Sequence, residues 1–207
     1  MKYTIIAIVV VLAMVVAIAI AALKKKQAQK IINAIEANDH KQFEALLETK
    51  LTNFLFPAMY LDSLRLNEAM IRNDPNDIEK ILDRLCKARL SESDKEKIYV
   101  QAYNYYLSTK SYRKCGIWYE KIQTLKNDRL VSEISKSYDI YVENGYKYLD
   151  EMLDELNDIE PSNRGVNEFL ISLMYKNKGD KENAQKYEKL SQTHLAQYDE
   201  AHKNTEA

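Results

Sequence analysis

The chain has 207 residues, with 30 Lys or Arg against 31 Asp or Glu, a net charge of −1 and 46% hydrophobic residues. That apolar content allows a sizeable core, and only two cysteines argue against a disulfide scaffold. Past residue 30 the balance is 25 basic to 31 acidic residues, a net of −6, so no basic face is expected for phosphate and nucleic acid is excluded as an expected partner.

Residues 3–23 carry no charge and one clearly polar residue, Thr4. At about 1.5 Å per residue they reach about 32 Å, close to a hydrocarbon core of about 30 Å, which predicts a transmembrane anchor over residues 1–23. A cleaved secretory signal is the competing reading, with Lys2 as its basic start, but signal h-regions run about 7–15 residues and this stretch ends without a polar segment at Lys24-Lys25-Lys26. The basic juxtamembrane segment 24–30 predicts a single-pass protein at the cell membrane, touching the bilayer through residues 3–23 and holding its C-terminal domain in the cytoplasm.

Beyond it, helix-like stretches alternate with turn signals. Residues 24–37 place Ile31, Ala34 and Ile35 on one face and break at Asn38-Asp39; residues 41–52 present Phe43, Leu46, Leu47 and Leu51. A second pair begins near Pro57, turns at Asn73-Asp74-Pro75 and resumes with Ile78, Ile81, Leu82 and Leu85. A third follows Ser91, with Ser93 or Asp94 as its cap, and turns at Lys110-Ser111. The fourth turns at Asn144-Gly145 and ends at Pro161, and the fifth turns at Gly179-Asp180 before a polar continuation and a flexible tail at 201–207. The turn signals at Asn38, Asp74, Lys110, Gly145 and Gly179 are spaced by 36, 36, 35 and 34 residues. A period in that range, without strand-like alternation, predicts stacked helix-turn-helix units that cannot bury their apolar faces singly. With four glycines and three prolines, no linker is expected to divide residues 28–200.

The last unit, with Tyr175, Gly179-Asp180 and Ala184, resembles the tetratricopeptide repeat family: an aromatic four residues before a Gly-Asp turn, then a small residue at a close helix crossing. Tyr141 and Gly145 repeat the step 34 residues earlier. The third unit keeps Tyr99, Tyr106, Tyr112, Cys115 and Tyr119 but has Lys110 where the glycine should be. The match is clearest over residues 95–192; the 36-residue front intervals also suit Sel1-like repeats. The resemblance implies an all-α fold, an α-solenoid of about five repeats behind the anchor, with first helices lining a concave groove for a protein or peptide partner. It implies groove residues Lys97, Val100, Gln101, Asn104 and Ser108, then Ser135, Asp139 and Glu143, then Phe169, Leu173, Lys176 and Asn177. Tyr105, out of phase with Tyr99, Tyr103 and Tyr106, is a further groove candidate. The Lys-Asn pair that clamps a terminal carboxylate in chaperone-binding members is half present, as Asn104 with Val100 one turn before it.

No catalytic pattern is legible. His40, His194 and His202 are scattered, Cys86 and Cys115 have no metal-site spacing and are read as helix-core residues, and the glycines are too dispersed to cradle a phosphate. No cofactor, metal or small-molecule substrate is expected, nor enzymatic activity. The expected function is an interaction scaffold at the cytoplasmic membrane face; the alternative is a chaperone-like accessory of secretion with the opposite topology.

Overall fold

The computed structural model describes residues 2–203, less the side chains of 2–12, 162 and 199–203. No strand occurs among the described residues, and the chain gathers into two compact units, residues 1–90 and 91–207. The first holds α1 (Lys2–Glu36), α2 (His40–Leu47), α3 (Lys50–Leu55), α4 (Ala58–Ile71) and α5 (Pro75–Lys87). The second holds α6 (Glu92–Ser108), α7 (Tyr112–Ile122), α8 (Asp128–Tyr141), α9 (Leu149–Glu155), α10 (Gly165–Lys178) and α11 (Lys181–Lys203), with 3-10 turns at Leu156–Asp158 and Pro161–Asn163. Of the expected tail, residues 204–207 lie outside the described residues.

Among the described residues no helix is long and apolar enough to cross a membrane. That overturns the single-pass anchor expected at residues 3–23, and with it the bilayer contact, the cell-membrane localisation and the cytoplasmic placement that depended on it. In the described part of α1 the apolar run is residues 13–23, about 16 Å of helix or roughly half a hydrocarbon core, and the helix continues through Lys24, Lys25 and Lys26. The earlier part of the expected span, 3–12, lies outside the residues whose side chains are described.

The turns are where sequence dictates architecture most directly. Among the described residues positive φ occurs at Asn38, Asn73, Lys110, Asn144 and Gly179, with φ of 54°, 54°, 54°, 51° and 84°. Each follows a first helix of a pair. Four of these turns close with the same two backbone hydrogen bonds. The N–H after the left-handed residue donates five residues back, Asp39 to Ala34, Asp74 to Ala69, Ser111 to Tyr106 and Asp180 to Tyr175, at 2.8–3.0 Å. The left-handed residue's own N–H donates three back, to Ile35, Met70, Leu107 and Lys176, at 2.9–3.1 Å. This is the Schellman arrangement, which satisfies carbonyls that a helix end otherwise leaves unpaired. Asn tolerates the left-handed region and Gly has no Cβ to strain there; Lys110 has neither advantage.

The same residue that ends one helix starts the next. The Asp39 carboxylate accepts from the Gln42 N–H, Asp74 from those of Asn76 and Asp77, and Asp180 from that of Asn183. Ser111 starts α7 without a side-chain cap. The third pair is capped by Ser91, earlier than the expected Ser93 or Asp94, and Pro57 precedes α4 instead of beginning it.

Each pair closes on an apolar seam. In the first unit Ile31 and Ala34 of α1 pack with Phe43 and Leu47 of α2 and Leu61 of α4, and α5 buries Ile78, Ile81, Leu82 and Leu85. Each such aliphatic contributes about 1.5–3 kcal/mol on full burial. The buried Gln27 amide donates to the Thr52 hydroxyl, which in turn bonds the Leu46 carbonyl, so the seam carries no unsatisfied polar group there. In the second unit Tyr103, fully buried, donates to Ser137 at 3.0 Å, and Tyr119 stacks on Tyr138. Cys115 is buried too, and burial pushes its thiol up to about 11, so it stays protonated and unreactive.

The left-handed turns generate an opposed pair of expectations. At Gly179 an added Cβ meets open space, so Gly179→Ala costs about 1 kcal/mol through backbone strain alone, whereas Lys110→Gly relieves strain and adds up to about 1 kcal/mol. Urea denaturation followed by circular dichroism reads both; shifts of the same sign would contradict the turn assignment.

Candidate binding cleft

The fourth pair departs from the pattern. Its first helix stops at Tyr141, and the chain then crosses a loop before the seven-residue α9. Asp139, buried, organises that loop: its backbone carbonyl accepts from the Gly145 N–H at 2.7 Å and its carboxylate from the Lys147 N–H at 3.1 Å. From the next first helix, the Asn177 amide donates to the carbonyls of Ile140 and Gly145 at 3.0 and 2.9 Å. A methyl group at Gly145 would land against the Asp139 carboxylate.

The seven-residue α9, half the length of α8, contributes Glu151, Met152 and Glu155 to one wall of an opening beside α8. That opening, between α8 and α10, is a cleft of about 720 Å³. Its floor is apolar, formed by Tyr141, Met152, Leu170 and Val166, the last 60% exposed. Its rim is charged. The Lys136 ammonium bonds both Glu151 and Glu155 at 2.9 and 2.8 Å, and Arg129 pairs with Glu133 at 3.0 Å. Burial works against the Lys136 charge, yet its two carboxylate partners hold it above the ordinary lysine pKa. The rim therefore presents two cations and three carboxylates, a net of −1.

None of the residues expected to form a groove lines this cleft. Lys97, Gln101, Asn104, Tyr105 and Ser108 do share a face of α6: Lys97, Asn104 and Ser108 are exposed, and Tyr105 is half-buried edge-on against Tyr106 at 5.2 Å. Glu143 and Lys176 are exposed, Phe169 is 42% exposed and Leu173 half-buried. Ser135 bonds Gln123. Asp139 and Asn177 serve the loop. Helical periodicity does not single out the cleft residues; the signal for them is the pair Val166 and Leu170, one helical turn apart and out of step with the buried Ile171 and Met174.

A second cleft, of about 240 Å³, lies in the first unit among α2, α4 and α5. It is closed by its own charges. Arg72 bonds Glu68, Asp74 and Asp77; Arg65 bonds Glu44 and Asp62; Arg84 bonds Asp62; and His40 meets the buried Glu68 at 3.1 Å. His194 makes the equivalent contact with buried Glu168 at 2.7 Å, so both histidines are paired within the fold. No group of acidic, His or Cys side chains suited to a metal ion occurs among the described residues. The chain matches no protein-family model, no curated protein and no solved structure.

The packing of the loop gives a test. Gly145→Ala costs about 1–3 kcal/mol by overpacking Asp139, and less than about 1 kcal/mol in an Asp139→Ala background, where the obstructing carboxylate is gone. An equal cost in both backgrounds, by urea denaturation, would contradict this account of the loop.

Proposed function

We propose that the protein is a non-enzymatic binding module of helix-turn-helix repeats, of tetratricopeptide-like character, which holds a segment of a protein partner in the cleft between α8 and α10. The observation that carries this reading is the combination of an exposed apolar floor, Val166 and Leu170 over Met152, with a rim of charges already fixed in pairs. An interface centre of this kind desolvates aliphatic and aromatic anchors while the rim sets orientation. The open form suits an extended or helical segment better than a small molecule, whose sites enclose most of the ligand's surface. The recurring turn supports the repeat reading. In the last pair Tyr175 stacks on Tyr187 across the turn.

A photoreactive benzophenone side chain at Asn167 is expected to give a discrete adduct in cells, and Val166→Glu to reduce its yield by about tenfold or more with the thermal melt unchanged. The same probe at Ile117, an exposed apolar position on α7, should give none. Equal adducts at both positions, or a yield indifferent to Val166→Glu, would contradict the assignment.

A further inference from the structure

The two units carry opposite charge. The first has 13 Lys or Arg against 10 Asp or Glu, a net of +3, and the second 17 against 21, a net of −4. The imbalance is local on both. In the first, Lys24, Lys25, Lys26 and Lys30 are all exposed on α1, with no acidic residue before Glu36. In the second, residues 148–163 contain no basic residue, while Asp150, Glu151, Asp154, Glu155, Asp158 and Glu160 are all exposed along the edge of the cleft helix α9 and the turn after it.

Beside its lysines α1 carries exposed apolar surface that matches the apolar cleft floor. From Gln27 onward the helix packs into the first unit through Gln27, Ile31 and Ala34, but residues 13–23 stand outside that core. Met14, Val15, Val16 and Ile18 are 61%, 57%, 50% and 69% exposed. An exposed helix segment that is apolar on all sides marks a surface for a partner to cover. Residues 13–26 make about 21 Å of helix, the same as the 14 residues of α8 that wall the cleft.

We infer that the occupant of the cleft is the α1 segment of a second copy of this chain, its apolar residues 13–23 on the floor of Met152, Val166 and Leu170 and its lysines 24–26 against Glu133, Glu151 and Glu155. This rests on the cleft being the binding surface proposed above. The two surfaces differ, so the contact is head-to-tail: of two joined copies one keeps a free arm and the other a free cleft, and further additions give a growing chain of subunits or close a ring. Lys136 fixes Glu155 and Glu151 in place before docking, so little side-chain order is lost on binding.

Sedimentation velocity of the full chain tests it by charge exchange. Wild-type protein should associate with concentration, and weaken about tenfold or more between about 0.15 M and 1 M salt as the Debye length falls from about 8 to 3 Å. Lys24→Glu with Lys25→Glu and Lys26→Glu should leave the chain monomeric. So should Glu133→Lys with Glu151→Lys, which retains Glu155 as the partner of Lys136. An equimolar mixture of the two variants, each folded by circular dichroism, should associate again, since each arm then meets a cleft of opposite sign. A monomer at every concentration, association that salt strengthens, or variants that associate as wild type would overturn the inference. Adducts from Asn167 to other proteins by a monomeric chain would overturn it while sparing the cleft as a binding site.

Discussion

The left-handed residue at the end of each first helix is the constraint on which the rest of the structure depends. One residue with φ of 54° at Asn38, Asn73 and Lys110, or 84° at Gly179, turns the chain back, and in these four turns the N–H that follows it closes the ring five residues earlier. The following side chain, Asp39, Asp74 or Asp180, then caps the second helix. Termination and initiation thus share adjacent residues, and the reversal of the chain is fixed by local backbone hydrogen bonds. Burial of Ala34 and Ala69 at the closing carbonyls lets the helices approach there.

The consequence reaches the candidate site because one turn is different. At Asn144 the first helix has already ended at Tyr141, so the closing bond runs from Gly145 to Asp139, six residues back. A buried carboxylate and an amide from the next helix hold the longer loop. The second helix starts late and stops after seven residues. Its Glu151, Met152 and Glu155 form one wall of the cleft between α8 and α10.

Periodicity and turn chemistry made the pairs legible in advance, because Asn, Gly and Asp act through local backbone geometry. The apolar seams of α5, α6 and α7 were legible for the same reason: Ile78, Ile81, Leu82 and Leu85 recur at helical spacing. The early end of α8 was not. Tyr141 to Gly145 reads as one more helical turn, but there the carbonyls of Ile140 and Gly145 accept from the amide of Asn177, 32 residues from Gly145 in sequence. Asp139 and Asn177 fell on the right helical face for a groove, but their polar groups are taken up by backbone that only the folded chain brings near. The apolar run of α1 was legible as composition; its length in sequence did not translate into a membrane-spanning helix among the described residues.

Amide hydrogen exchange on the full chain, resolved by residue, addresses the central claim most directly. The account predicts that the N–H groups of Asp39, Asp74, Ser111 and Asp180, each at a helix boundary, exchange as slowly as the interiors of the helices they join, because each is held by a carbonyl five residues back. Exchange of these four amides at the rate of an unstructured peptide, with the helices still protected, would contradict it.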